Sequence, residues 1–195
     1  MRQVQIERNT TETQITVQLN LDGTGIYNIQ TGCGFFDHML EQLSRHSLID
    51  LTIQATGDLH IDAHHLVEDT GIVLGKALLE ALADKTGINR YGSACIPMDE
   101  ALTRCVLDLS GRTAFVWHVK FPTEKVGDID TEVFKEFFAA VADNLKAAIH
   151  IENLYGDNSH HIAESYFKAF ARALRHAVEI DPKAANITPS TKGAL

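Results

Sequence analysis

The pentapeptide His64-His65-Leu66-Val67-Glu68 recurs 96 residues later as His160-His161-Ile162-Ala163-Glu164. On a helix, residues three and four apart share a face, while neighbours diverge by about 100°. His64 and Glu68 can therefore grip one ion from the same side, and His65 must point elsewhere. The second copy repeats the problem and supplies its solution. His160 and Glu164 hold a second ion, while His65 and His161 each cross to the other site. Imidazole plus carboxylate suits Mn, Fe, Ni, Co or Zn, and the lack of thiolate argues against a structural zinc knuckle. His38, 26 residues before His64, and Glu136, 24 before His160, are nominated as equivalent third ligands. His118, His150 and His176 read as structural; His60 fits either role.

These donors need helices, and the chain supplies them. A helix is expected from His64 to Lys85, apolar nearly all round and ending before Gly87, and an amphipathic one from Ser159 to Glu179. Both histidine pairs then stand near a helix start, where the macrodipole disfavours imidazolium and keeps the ring neutral, as a metal requires. Further helices are expected over Phe36–His46 and Glu132–Leu145. Thr13–Leu21 alternates as a strand with one wet face, and Asp22-Gly23-Thr24-Gly25 reads as a hairpin turn into a strand through Ile26 and Ile29. Leu51–Ala55 and Ala148–Ile151 read as short strands. Leu102–Leu109 and Thr113–Val119 read as two more, joined by Ser110-Gly111-Arg112.

A Gly-Asp turn precedes each pair, Gly57-Asp58 in one copy and Gly156-Asp157 in the other. Gly75-Lys76-Ala77-Leu78 overlays Ala171-Arg172-Ala173-Leu174 at the same 96-residue shift. The expectation is an α+β fold of internally duplicated half-units, each a sheet with helices on one face. Residues 1–90 form the first repeat, 91–180 the second, and 181–195 an irregular tail beyond the stop at Pro182.

Composition removes other classes. The 195 residues are 45% apolar and 22% charged, an ordinary globular balance able to bury a core without staples. A net charge of −9 argues against nonspecific nucleic-acid or anionic-membrane binding. The greasiest stretch, Gly71–Ala83, carries Lys76 and Glu80 and is too short to span a bilayer. Met1-Arg2-Gln3-Val4-Gln5 has no secretory core. Cys33, Cys95 and Cys105 form no CxxC pair, so a reducing cytoplasm is expected.

With these features in view, the chain resembles imidazoleglycerol-phosphate dehydratase, a family of histidine biosynthesis. The resemblance is carried by Gly34-Phe35-Phe36-Asp37-His38-Met39-Leu40, Asp58–Gly75, Arg90-Tyr91-Gly92 and Pro97-Met98-Asp99-Glu100-Ala101-Leu102. It continues through Asp108-Leu109-Ser110-Gly111-Arg112, Asn158–Leu174 and Ser190-Thr191-Lys192-Gly193. It implies two manganese ions per active site and a shell of 24 subunits whose metal ligands come from different copies. It places metal ligation on His64, His65, Glu68, His160, His161 and Glu164, with His38 in the substrate and metal shell. It assigns the phosphate and substrate pocket to Arg90, Arg112, Ser190 and Lys192, with His46 and Lys168, and Glu12 reaching in from the N-terminal strand. Several members carry histidine where this chain has Glu136; a carboxylate also suits manganese.

The implied reaction removes water from D-erythro-1-(imidazol-4-yl)glycerol 3-phosphate and gives 3-(imidazol-4-yl)-2-oxopropyl phosphate. The C–H to be broken lies next to no carbonyl, so a metal-bound imidazolate must push out the hydroxide before the proton leaves. Glu164 or Glu12 is the candidate to move that proton, and Asp99 a further acid–base or supporting group. Two other classes stay open on the residues alone. A dinuclear hydrolase needs a bridging carboxylate, and no aspartate has an obvious spacing for one. A non-catalytic metal-binding shell protein needs only the ligands.

Overall fold

The computed structural model describes residues 2–195; Met1, first of the five residues read for a secretory signal, lies outside them. The first half runs β1 (Gln3–Asn9), β2 (Thr13–Asn20), β3 (Tyr27–Gln30), α1 (Gly34–Ser47), β4 (Asp50–Gly57) and α2 (His64–Leu82). The second runs β5 (Tyr91–Met98), β6 (Ala101–Asp108), β7 (Ala114–His118), a small hairpin of β8 (Lys125–Val126) and β9 (Ile129–Asp130), then α3 (Val133–Leu145), β10 (Ala148–Tyr155) and α4 (Ser159–Val178). The fold is α+β, each half a four-stranded sheet with two helices.

The two sheets have the same strand order, β1-β2-β4-β3 and β5-β6-β10-β7. In both, the last strand slots between the second and third, antiparallel to one and parallel to the other. This corrects one expected connection: Asp22-Gly23-Thr24-Gly25 does not close a hairpin between β2 and β3. Ser110-Gly111-Arg112 joins β6 to β7 as expected, although the two strands do not pair. In each half a helix returns the chain to the sheet, so the third strand pairs in parallel with the strand after that helix, as a crossover requires. Asp50, at the start of β4, takes the place of a hairpin turn. Its Oδ1 accepts from the Thr24 and Ile26 backbone N–H at 2.8 and 2.9 Å.

Alternation sets the faces. Thr13, Ile15, Val17 and Leu19 are buried, while Gln14 and Gln18 face water. Helix α2 packs on β1 and β2, and α4 on β5 and β6; between the sheets α1 lies against α4 and α2 against α3. Phe134, Phe137, Phe138, Tyr166, Phe167 and Phe170 fill this shared layer, all fully buried. The α2–α3 approach depends on Gly71 and Gly75. A Cβ on Gly71 would lie 2.6 Å from the Phe137 carbonyl oxygen, and one on Gly75 2.9 Å from that of Val141.

Strands β1 and β5 and the β8–β9 hairpin have no counterpart in the sequence-based expectations. Strand β1 alternates only between exposed and half-buried positions, and β5 mixes Gly92, Ser93, Ala94 and Pro97, residues poor in strand propensity. Helix α2 stops at Leu82 instead of Lys85, because Ala83 and Lys85 take φ of 49° and 60°. Strand β10 extends past Ile151 to Tyr155.

Candidate active site

The two motifs occupy the first turns of α2 and α4, as their spacing predicts. Asn158 caps α4, its Oδ1 accepting from the His160 and His161 backbone N–H at 2.9 and 3.3 Å. At the start of α2, Asp62 Oδ1 accepts from the His64 N–H at 2.7 Å. The i,i+4 pairs meet: His64 Nε2 lies 3.4 Å from Glu68 Oε2, and His160 Nε2 lies 3.2 Å from Glu164 Oε2.

Across the helix layer, α1 brings His38 to the second motif. Its Nε2 is 3.7 Å from Glu164 Oε2, and donor atoms of His38, His160 and Glu164 all fall within 4.8 Å of one another. Two imidazoles and a carboxylate at that separation are a donor set for a first-row divalent cation. Phe35 meets the His160 ring edge-on, with centroids 5.2 Å apart, and limits its rotation. Glu164 is buried, and Lys168 Nζ donates to its Oε1 at 2.6 Å. Burial works to raise the Glu164 carboxyl, but the Lys168 ammonium, with help from His38 and His160, outweighs it and holds the group ionised below its ordinary value.

Glu136 is not brought into a three-donor group within one chain. Among the described residues only His38, His160 and Glu164 form a three-donor group, and Glu136 on α3 lines a separate cavity with Trp117, Phe121 and Lys135.

His65 and His161 turn away from their i,i+4 neighbours, as the helix geometry requires. His65 Nδ1 meets Asp58 Oδ2 at 2.9 Å, and His161 Nδ1 meets Glu100 Oε2 at 2.6 Å. A carboxylate on Nδ1 fixes ring orientation and turns Nε2 outward as the free donor, the arrangement common behind metal-ligating histidines. The partner of His161 is Glu100, in the β5–β6 turn. The hydrogen bond that Asp58 accepts raises the His65 pKa and the one that Glu100 accepts raises His161, against the opposing effect of desolvation. The same bond pulls Glu100 down to about 2. Asp99, with φ of 47° in that tight turn, places Oδ2 3.6 Å from His161 Nε2.

The expected phosphate ligands fall into two places. Lys168 and His46 lie together. Burial, and then the charges of Lys168 and Arg172, push the His46 pKa down, and its Nε2 lies 3.1 Å from Gln42 Oε1. Arg90 is elsewhere: Nε and Nη2 donate to both Asp108 oxygens at 2.7 and 3.1 Å, and Nη1 donates to the Pro189 carbonyl at 2.8 Å. That last bond seats the tail, where the Lys192 N–H donates to Ser190 Oγ at 3.2 Å. Arg112 follows in the β6–β7 connection, its N–H donating to Ser110 Oγ at 3.3 Å. Lys168 Nζ touches Met98 Sδ at one end of β5, whereas Arg90 precedes the other end. Eight residues of strand separate them, roughly 26 Å at about 3.3 Å per residue. Glu12 sits exposed at the β1–β2 tip, and its charge acts on His65.

Asp58, Glu100 and Asp108 went unread at the sequence level. Asp58 and Glu100 lie inside segments already singled out, but only the fold aims them at ring nitrogens.

The family model for imidazoleglycerol-phosphate dehydratase matches residues 31–174. The imidazoleglycerol-phosphate dehydratases of Ruegeria sp. (strain TM1040) and Paracoccus denitrificans are 62% and 60% identical over 195 residues, covering the whole of each chain. The crystal structure of imidazoleglycerol-phosphate dehydratase from Staphylococcus aureus superposes with a TM-score of 0.83 at 42% identity, over 91% of this chain and 98% of that one. The structure from Pyrococcus furiosus in complex with (S)-C348 gives 0.84 at 37%, over 97% and 100%.

Proposed function

The chain belongs to the imidazoleglycerol-phosphate dehydratase family and is a hydro-lyase of histidine biosynthesis, and we propose that it works through two manganese ions held by its paired His-His-x-x-Glu motifs. The observation that carries this reading is the meeting of His38, His160 and Glu164 within 4.8 Å. His64 and Glu68 make the counterpart pair, and Asp58 and Glu100 aim His65 and His161 as the remaining donors. When bound, the ions supply Lewis acidity to the imidazole ring and to a hydroxyl oxygen of the substrate.

The protein groups do the rest. The reaction breaks the C–O bond on the carbon bearing the imidazole and the C–H bond on the next, and the resulting enol tautomerises to the ketone. Glu164 has its oxygens committed to Lys168, His160 and His38, which suits a ligand better than a base. Glu12 is exposed at a hairpin tip and takes the C–H proton on its carboxylate. Asp99, beside His161, is the further acid–base or supporting group on this side of the site. Arg90, Arg112, Ser190 and Lys192 hold the substrate phosphate from one side and Lys168 and His46 from the other, the guanidinium forks orienting it.

Those two sets cannot reach one phosphate within a single chain when β5 separates them. The reading therefore includes assembly of identical copies, 24 in a shell, each pocket drawing one set from a neighbour. The repeats are residues 1–90 and 91–180, supported by the shared strand order, and 181–195 serve the phosphate side. No helix of the described residues is long and apolar enough to cross a membrane; the site of action is the cytoplasm, consistent with three unpaired cysteines. Nucleic acid is no partner of a chain with net charge −9.

The test is turnover of imidazoleglycerol phosphate by chelated protein with and without added manganese, following the ketone by ultraviolet absorbance in alkali. Manganese-dependent ketone without inorganic phosphate release supports the reading. Undiminished turnover after exhaustive chelation contradicts it.

A further inference from the structure

Asp69 follows Glu68 directly but faces the other way, into the sheet. Its carboxylate is buried and takes one bond from each strand of the β1–β2 hairpin. Thr13 Oγ1 donates to Oδ2 at 2.5 Å from β2, and Arg8 Nη2 lies 3.1 Å from Oδ1 on β1. Thr13 is itself buried and is the residue after Glu12. The tip is braced further by Thr10, whose Oγ1 accepts from the Glu12 and Thr13 backbone N–H at 3.1 and 2.9 Å. The hairpin tip carrying Glu12 is therefore fastened at a single carboxylate to the helix turn carrying His64, His65 and Glu68.

A buried charge of this kind is costly unless fully bonded, and a hydrophobic side chain could fill the same space at no such expense. What the carboxylate adds is a fixed register between two elements that otherwise meet through apolar contact. We infer that Asp69 is a positioning residue, holding the β1–β2 tip so that Glu12 stands at a set distance from the metal-binding turn of α2. This rests on the proposed role of Glu12 as the group that takes the C–H proton. A proton acceptor displaced by about 1 Å loses rate steeply without loss of substrate binding, so the signature lies in kcat and not in KM.

The test is a double-mutant cycle on the manganese-reconstituted full assembly. Asp69→Asn lowers kcat roughly 10-fold to 100-fold, with KM and bound manganese unchanged. In a Glu12→Gln background the same substitution has no further effect, because the group it positions is already gone. Thr13→Val, an isosteric change that removes the donor, reproduces the kcat loss if Asp69→Asn fails to fold, and Thr13→Ser restores turnover. An equal kcat factor for Asp69→Asn in both backgrounds overturns the positioning role while leaving that of Glu12 intact. Full kcat in Glu12→Gln alone overturns both.

Discussion

His38 on α1 of the first half and Glu164 on α4 of the second approach to 3.7 Å, so a donor group is assembled from both halves of one chain. The shared helix layer makes this possible, because α1 packs on α4 rather than on its own half's second helix. Removing the ring should therefore open a ligand position without disturbing the core. His38→Ala is expected to weaken manganese binding at this position by at least roughly 100-fold, since loss of even an outer partner costs 10-fold to 100-fold. Competition with a fluorescent chelator reads this directly, and unchanged affinity would remove His38 from the site.

The Glu100–His161 bond gives an independent handle on the second motif. Glu100→Gln keeps an acceptor for Nδ1 but removes the charge. The His161 pKa, raised by that carboxylate, should fall back toward the ordinary histidine value in the metal-free protein, a change visible by NMR titration. Manganese affinity should weaken roughly 10-fold to 100-fold.

Acid sensitivity should have a contribution from Asp50. Partial burial works upward on its pKa, but the N–H groups of Ile26 and Thr24, with Asn20, prevail and hold it below the ordinary value. A folded pKa below the unfolded one means stability that is full above the unfolded value, about pH 4, and lost as pH falls through the folded value. Denaturant midpoints of wild type and Asp50→Asn should accordingly differ most above pH 4 and converge under stronger acid. A gap that widens on acidification would contradict this.

Close packing of α2 on α3 leaves no room at Gly71. Gly71→Ala drives a methyl against the Phe137 carbonyl, which is backbone and cannot rotate aside. The expected cost is about 1–3 kcal/mol of unfolding free energy, measured by urea titration. Neutrality would mean that the helices part more easily than their contacts indicate.

Most of the helical frame was legible in sequence because apolar residues recur at helical spacing along each segment. The His64–Glu68 and His160–Glu164 pairings followed from that spacing alone. Strand partnership was not legible, since Asp22-Gly23-Thr24-Gly25 looks like a hairpin turn whichever strand arrives to fill the sheet. Nor could the sequence show that Asp58 and Glu100, from unrelated local contexts, would face equivalent histidine nitrogens. The small hairpin β8–β9 was not legible either, being two residues per strand and present in one half only.

The most direct test of the donor assembly is an anomalous difference map from crystals grown with manganese. A strong peak within bonding distance of His38, His160 and Glu164 is the predicted result. Strong peaks elsewhere, with these three side chains bonded only to one another, would contradict the account.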